Sequence, residues 1–166
     1  MKKIMILLAV VGMFSFQGCT TSDDFDEDTI SEVFELKNID FDYNVDDGFN
    51  IFQTLTPNIF SSDVVLIYRL SGTIDSNTPI WQLIPRTIYL SNGRELDYDF
   101  DFSKEDFTIY ARGNYNLELT PEYLDDQTFR IVIVPGSFST SINKNNYNEV
   151  ISALKIKENQ IQKINF

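Results

Sequence analysis

The chain contains a single cysteine, Cys19, whose thiol is its strongest candidate for covalent chemistry. It follows the small residue Gly18 and lies close to the start of the sequence. A disulfide within the chain is impossible because there is no second cysteine, and the alternatives are a small buried or free thiol and a modified one. We expect Cys19 to be modified, because the chain offers its thiol no second cysteine as a partner.

The residues before Cys19 have the layout of a secretory signal peptide, with a basic start and a mostly apolar run at 4–16 that is too short to span a bilayer. A signal of this kind next to a cysteine resembles the lipobox of bacterial lipoproteins. Gly18 matches that motif, whereas Phe16-Gln17 departs from its commonest form. The resemblance predicts that residues 1–18 are removed and that acyl chains such as palmitate on Cys19 anchor the protein in membrane lipid.

An acidic run begins at Ser22, Asp23 and Asp24 and continues to Asp28. It resembles the export signal that sends lipoproteins of the Bacteroidota to the outer face of the outer membrane. The alternative is a solvated tether, since a run of like charges repels itself and stays extended, and the two roles are compatible. We therefore predict that residues 19–31 form a lipidated acidic tether, with a full reach of about 40 Å at roughly 3.3 Å per residue.

The same run has part of the spacing of a calcium loop. Asp24, Asp26, Asp28 and Glu35 stand at suitable intervals, but Thr29 occupies the position where the sharp turn needs glycine. No room remains between Cys19 and the run for the preceding helix of such a motif. A tether is favoured, and no metal site is predicted.

A second set of acids alternates along one predicted strand, at Asp97, Asp99 and Asp101. Side chains two residues apart on a strand face are separated by about 7 Å, too far to share an ion without a neighbouring strand, so a solvated face is favoured. Two carboxylates about 5 to 10 Å apart across a cleft could hydrolyse a glycosidic bond. Nothing singles out such a pair, and a glycan-active enzyme is therefore the alternative hypothesis.

The only tryptophan, Trp81, could form a sugar-stacking platform with Tyr89 or Tyr98. A lone tryptophan in a β-sandwich is more often a core residue. We therefore expect Trp81 to be buried.

Composition excludes several classes of function. The chain has no histidine, so neither a nucleophile activated by imidazole nor an imidazole metal site can form. Residues 19–166 hold 11 Lys and Arg against 25 Asp and Glu, a formal net charge of −14, which is unsuited to nucleic acid. A Gly-x-Gly-x-x-Gly phosphate loop and a redox cysteine pair are both missing. No catalytic residue and no cofactor is predicted.

Alternating apolar residues predict strands along most of the chain. The runs are 39–45, 49–55, 64–70, 80–90, 95–102, 107–111 and 129–134. Residues 71–79 are predicted to be a loop. Because Pro79 and Pro85 cannot donate to a ladder, 80–90 is either an edge strand or two short strands. Ser91-Asn92-Gly93 predicts a hairpin turn, and Pro121 predicts a helical turn ending at Leu124.

Only the end of the chain has helical spacing. Tyr147, Val150, Ile151 and Leu154 recur at helical intervals behind the candidate N-cap Asn146. The segment after the predicted helix is suggested to form a last short strand through Ile161. Seven or eight strands and one helix predict an all-β fold, an antiparallel β-sandwich that is Ig-like in the loose sense with one C-terminal helix, as a single domain at 32–166.

Four segments, 65–70, 81–85, 97–102 and 129–135, resemble a family of small uncharacterised lipoproteins of the Bacteroidota and span most of the mature chain. The resemblance implies a lipid-anchored outer-membrane protein, exposed at the cell surface, and carries no functional residues. The leading hypothesis is a non-catalytic binding or structural envelope module, with a surface glycan or protein as its ligand.

Overall fold

Two five-stranded sheets pack face to face in the computed structural model, which describes residues 31–75, 77–138 and 142–165. The strands are β1 (Glu32–Ile39), β2 (Asp42–Asn44), β3 (Gly48–Thr54), β4 (Val64–Ile74), β5 (Thr78–Ile84), β6 (Arg86–Tyr89), β7 (Glu95–Phe102), β8 (Asp106–Gly113), β9 (Gln127–Val134) and β10 (Gln162–Asn165), with one helix, α1 (Tyr147–Ala153). Sheet A has the order β10-β1-β9-β4-β5, and sheet B has the order β2-β3-β8-β7-β6. Neighbouring strands are antiparallel except β1 and β10. The predicted antiparallel β-sandwich with one C-terminal helix is confirmed.

Sheet A is buried on both faces. Its inner face packs against sheet B, and its outer face is covered by α1 and the segment that follows. In β9, Phe129, Ile131 and Ile133 face sheet B, while Val132 and Val134 face the helix. This explains why β4 and β9 have almost continuous apolar sequences, whereas the strands of sheet B alternate. No helix among the described residues is long and apolar enough to span a bilayer.

Pro85 separates the two sheets along the chain. The strand before it, β5, is an edge of sheet A, and the strand after it, β6, is an edge of sheet B. Proline has no N–H for a ladder, so a change of sheet at this position leaves no donor unpaired. Both parts of the prediction for residues 80–90 are confirmed, since there are two short strands and each is an edge strand.

Two predictions for the first half of the chain were wrong. Most of the loop predicted at 71–79 is strand, because β4 continues to Ile74 and β5 begins at Thr78. The ladder between them shifts register between Leu70 and Gly72, and Gly72 has a φ of +155°. The glycine that suggested a turn therefore marks a β-bulge. The run 39–45 is also interrupted: it is divided between β1 and β2, and its residues Tyr43 and Val45 are exposed.

The helix begins as predicted. Asn146 caps it, accepting a hydrogen bond from the backbone N–H of Glu149 at 3.3 Å. The Glu149 carboxylate accepts from the backbone N–H of Asn143 at 3.0 Å. The position suggested for the last strand, through Ile161, is wrong, because Glu158–Gln160 form a 3₁₀ turn and β10 begins at Gln162. β10 pairs in parallel with β1, so the C-terminal segment rejoins sheet A.

Candidate functional site

The residues predicted for anchoring and export lie outside the described part of the chain. These are Cys19, Ser22, Asp23 and Asp24, together with the acids of the calcium-like run up to Asp28. Their roles stay predictions. Within the described residues, no group of three or more Cys, Asp or Glu side chains is placed to hold a metal ion.

The acidic ladder lies on the solvent side of sheet B, opposite the buried side chains of Leu96 and Tyr98. Each acid contacts a neighbouring strand. Asp97 accepts from Thr87 at 2.5 Å, Asp101 accepts from the Tyr110 hydroxyl at 2.9 Å, and Asp99 is 3.9 Å from a guanidinium nitrogen of Arg112. Asp97 and Asp99 line an open depression of about 330 Å³ together with Thr87, Arg86 and Arg112, whereas Asp101 lies outside it. The contacts of the three acids within sheet B stabilise this exposed sheet face.

The suggested sugar-stacking platform is wrong, because its three aromatic residues lie in different layers. Trp81 packs with α1 on the outer face of sheet A, Tyr98 lies between the sheets, and Tyr89 is exposed on sheet B. Trp81 stacks over the Arg130 guanidinium, with 4.3 Å between that group and the ring centroid. Trp81 is half-buried, so the expectation that it is a buried core residue is met only in part.

Arg130 is a buried cation on the outer face of sheet A, and its charge is compensated within the fold. Its Nε donates to Glu35 at 2.7 Å, and its terminal nitrogens donate to both carboxylate oxygens of Glu158 and, at 2.5 Å, to the Tyr147 hydroxyl. Burial lowers the pKa of Arg130, but the hydrogen bonds to Glu158 and Glu35 raise it above its ordinary value. These contacts fasten the C-terminal segment to sheet A.

Arg69 is the second buried arginine, and it lies on the inner face of sheet A, where β4 passes the first residues of β9. Its Nε donates to the side-chain oxygen of Gln127 at 2.9 Å. The guanidinium carbon is 4.6 Å from the centroid of the Tyr98 ring and 5.8 Å from that of Tyr123. Although Arg69 is only 8% exposed, no carboxylate among the described residues forms an ion pair with it.

The loop before β9 holds these groups in place. Pro121 starts a 3₁₀ turn, as the sequence predicts, and the Tyr98 hydroxyl donates to the carbonyl of Tyr123 at 2.5 Å. The side-chain amide of Gln127 donates to the carbonyls of Glu122 and Asp125 at 3.1 and 2.6 Å. Burial raises the pKa of Tyr98 above its ordinary value and the charge of Arg69 opposes this rise, so the hydroxyl stays a donor at neutral pH.

Arg69 borders an open cleft of about 500 Å³ at the end of the sandwich. We call it the Arg69 cleft. Its lining residues come from β4, from the loop before β9 and from the start of β9: Arg69, Leu70, Ser71, Gly72, Pro121, Glu122, Asp125, Asp126, Gln127 and Thr128. The side chains of Glu122, Asp125 and Asp126 are exposed around it. The cleft therefore combines one buried positive charge with three solvated negative charges.

One wall of the cleft is an incompletely paired strand. The ladder between β4 and β9 stops at the pair Arg69 and Phe129, whereas β4 continues to Ile74 in contact with β5 alone. On the side of β4 that faces the cleft, backbone groups beyond Arg69 have no strand partner among the described residues. Such an edge can accept an additional strand.

The Arg69 cleft lies at the pole of the sandwich opposite the start of the described chain. Glu32 pairs with Ile133 at one end of sheet A, while Ile39 pairs with Gln127 at the other. The eight residues of β1 separate these ends by about 23 Å at roughly 3.3 Å per residue. The cleft thus faces away from the point at which the N-terminal segment joins the domain.

The Arg69 cleft was missed by the sequence analysis. A signal was present, since Arg69 is the only charged residue in the run Val64–Leu70 and shares the inner face with Val65 and Ile67. A charge on the buried face of a central strand is costly and needs a specific reason. Comparison of the chain with protein-family models, with curated proteins and with solved structures gives no match. The proposal below consequently depends on the sequence and the geometry of the site.

Proposed function

We propose that the protein is a lipid-anchored outer-membrane module, exposed at the cell surface, that binds a ligand in the Arg69 cleft without catalysis. The observation that carries the proposal is the buried, unpaired Arg69 at the border of an open cleft. Leaving a charge buried without an opposite charge costs stability, so a binding role gives Arg69 a reason to be there. The likeness to small lipoproteins of the Bacteroidota is part of the same proposal.

The position of the cleft supports display away from the membrane. An anchor at Cys19 would hold the domain by the segment that joins it at Ser31, and the Arg69 cleft lies at the opposite pole. A tether of residues 19–31 would then leave the cleft open to the medium. A ligand could reach it without crossing the lipid surface.

A ligand screen tests the binding proposal. The full-length protein, purified in detergent, is heated with single glycans, peptides and divalent ions, in parallel with the Arg69→Gln variant. A compound at 100 times its dissociation constant stabilises the protein by about 2.7 kcal/mol. We expect at least one compound to raise the Tm of the parent and to leave the variant unchanged. If every compound that binds raises both Tm values equally, the Arg69 cleft is not the site.

The anchor is tested with Cys19→Ser. We expect this variant to incorporate no labelled fatty acid and to leave the membrane fraction, because one thiol carries all the acyl chains. Retention of the unlabelled variant in the membrane would contradict the proposal.

Exposure at the cell surface is tested with the double variant Asp23→Ala and Asp24→Ala. If a receptor reads these carboxylates, each lost charge-assisted contact is worth roughly 1.5 to 3 kcal/mol, enough to lower recognition tenfold or more. The variant is then expected to stay lipidated but to resist protease added to intact cells. Equal digestion of the parent and the variant would leave the acidic run as a tether only.

The alternative is an accessory enzyme that acts on glycans through paired carboxylates. The presence of Glu122, Asp125 and Asp126 around one cleft favours it. Against it, all three are exposed, whereas a general acid is usually raised in pKa by an apolar pocket. The buried Glu35 is already paired with Arg130. Release of reducing sugar from a polysaccharide, abolished by Glu122→Gln, would support the enzyme.

A further inference from the structure

We infer that the ligand of the Arg69 cleft is an extended peptide that ends in a free α-carboxylate and carries basic side chains before it. The inference rests on the proposed function, because it names the ligand class of the same cleft. It combines the unpaired cation, the open strand edge and the acidic rim.

The carboxylate is assigned to Arg69. A guanidinium presents paired N–H donors that match the two oxygens of a carboxylate, and this bond is charge-assisted. Gln127 already occupies Nε, so the terminal nitrogens are the donors that face a ligand. The rings of Tyr98 and Tyr123 lie against the guanidinium and fix its orientation before the ligand arrives.

The extended conformation is assigned from the open edge of β4. In residues 71–74 of β4, the N–H and C=O groups of alternate residues face the cleft, and these can pair with a peptide in the place where β9 would continue if it began earlier. A peptide that runs antiparallel to β4, as β9 does, brings its C-terminus toward Arg69. The stretch from Ser71 to Ile74 accommodates about four residues, since each strand residue spans roughly 3.3 Å.

The basic side chains are assigned from the rim. Glu122, Asp125 and Asp126 surround the single positive charge, so a compact dianion such as phosphate would meet three negative charges for one positive charge. A peptide separates its charges along its length, with the carboxylate at Arg69 and cationic side chains beside the rim. This arrangement satisfies both parts of the cleft at once.

The test measures binding of three fluorescein-labelled peptides to the full-length protein in detergent by fluorescence anisotropy. The probes are Lys-Thr-Lys-Val with a free carboxylate, the same peptide as its C-terminal amide, and Glu-Thr-Glu-Val with a free carboxylate. We expect the first probe to bind at least tenfold more tightly than either of the others. When the first probe is bound, hydrogen exchange should slow at those amides of residues 71–74 that face the cleft.

Three variants assign the effect to the cleft. Arg69→Gln should abolish the difference between the acid and the amide, whereas Arg112→Gln, which removes an exposed arginine on the outer face of sheet B, should preserve it. The triple variant Glu122→Gln, Asp125→Asn and Asp126→Asn changes only exposed side chains and should abolish the preference for lysine over glutamate. It tests the inference even if Arg69→Gln does not fold.

Equal affinity for the acid and the amide would overturn the inference. So would binding of an oligogalacturonate, a carboxylated glycan, that depends on Arg69 while all three peptides fail. In that second case the cleft would keep its binding role, and only the ligand class would be wrong. If neither a peptide nor a glycan binds in a way that depends on Arg69, the proposed function is wrong as well.

Discussion

Arg69 and Arg130 are both buried on adjacent central strands of sheet A, but only the charge of Arg130 is compensated by carboxylates. Arg130, on the outer face, contacts two carboxylates, a tyrosine hydroxyl and an indole ring. Arg69, on the inner face, has one neutral hydrogen-bond partner and two aromatic rings. The first charge is compensated within the fold, whereas the second has no ion-pair partner among the described residues.

We propose that this difference distinguishes a structural charge from a ligand-binding one. A buried ion pair that closes within the protein joins elements together, as Arg130 does for β1, β9 and the segment that holds Glu158. A buried charge that has no opposite charge nearby and borders a cleft is a candidate for binding a ligand. The four predictions below test whether the two arginines really differ in this way.

The largest expected effect is that of Arg130→Met. Removal of the cation leaves Glu35 buried with only Lys163 nearby, at 4.0 Å, and breaking a buried ion pair costs about 3 to 5 kcal/mol of the free energy of unfolding. Urea denaturation followed by circular dichroism measures this loss. The double variant Glu35→Leu and Arg130→Met should recover most of it. A loss below about 1 kcal/mol in the single variant would contradict the structural role.

The second prediction concerns alkaline pH. Burial raises the pKa of Tyr68, beside the Arg130 cluster, and of Tyr98, beneath Arg69, well above the ordinary value near 10. Between pH 10 and the raised values the folded protein holds protons that the unfolded chain has lost. The free energy of unfolding should therefore be constant up to about pH 9 and fall above pH 10, by about 1.4 kcal/mol per pH unit for each tyrosine.

Urea denaturation between pH 7 and pH 11 measures this slope. Tyr68→Phe should reduce the slope of the free energy of unfolding against pH by the contribution of one tyrosine. Tyr89→Phe, which changes an exposed side chain, should not alter the slope. A free energy of unfolding that stays level to pH 11 would show that the two hydroxyl groups are not held protonated.

The third prediction is that Arg69→Met costs less than Arg130→Met. The variant loses one hydrogen bond to Gln127 and the contact with the Tyr98 ring, but it leaves no carboxylate unpaired. Removal of a buried charge that has no opposite charge offsets part of this loss, so we expect a net loss of about 1 kcal/mol, again by urea denaturation. The control Arg112→Met removes an exposed arginine and should cost about 0 to 0.5 kcal/mol. Equal losses for Arg69→Met and Arg130→Met would make Arg69 a structural residue.

The smallest effect is expected for Glu158→Gln, which removes the exposed partner of Arg130. Its side chain is 62% exposed, so solvent screens the pair and the cost should be no more than about 1 kcal/mol. Hydrogen exchange should accelerate in β10, because Glu158 lies in the turn that leads into it. Glu105→Gln, a substitution at an exposed acid outside this segment, should change neither quantity. Unchanged exchange in β10 would show that Glu158 does not fasten the segment.

Short-range patterns were sufficient for much of the fold. The hairpin at Ser91-Asn92-Gly93 joins β6 to β7, and Asn146 caps the helix, because turns and caps depend on residues close in sequence. A loop was predicted where the structure has a β-bulge near Gly72, because glycine is common in both loops and bulges. The parallel pairing of β10 with β1 joins residues more than a hundred positions apart and has no local signal.

The candidate site was not predictable for the same reason. The hydrogen bond from Arg69 to Gln127 joins residues 58 positions apart, and that from Arg130 to Glu35 joins residues 95 positions apart. The two arginines lie on opposite faces because of the register of β4 with β9, in which Arg130 pairs with Tyr68, and strand alternation does not give that register. The contacts depend on the order of strands in sheet A.

The amino-acid sequence by itself determined the local features: the alternation of β7 and β8, the break at Pro85 and the start of the helix at Asn146. These follow from side-chain periodicity, from a missing N–H and from a side-chain cap, which act over a few residues. Tertiary structure alone decided that Glu35 and Glu158 neutralise Arg130 while no described carboxylate reaches Arg69. The physical reason is that charge compensation acts over a few ångströms in space, and sheet order determines which distant residues come that close.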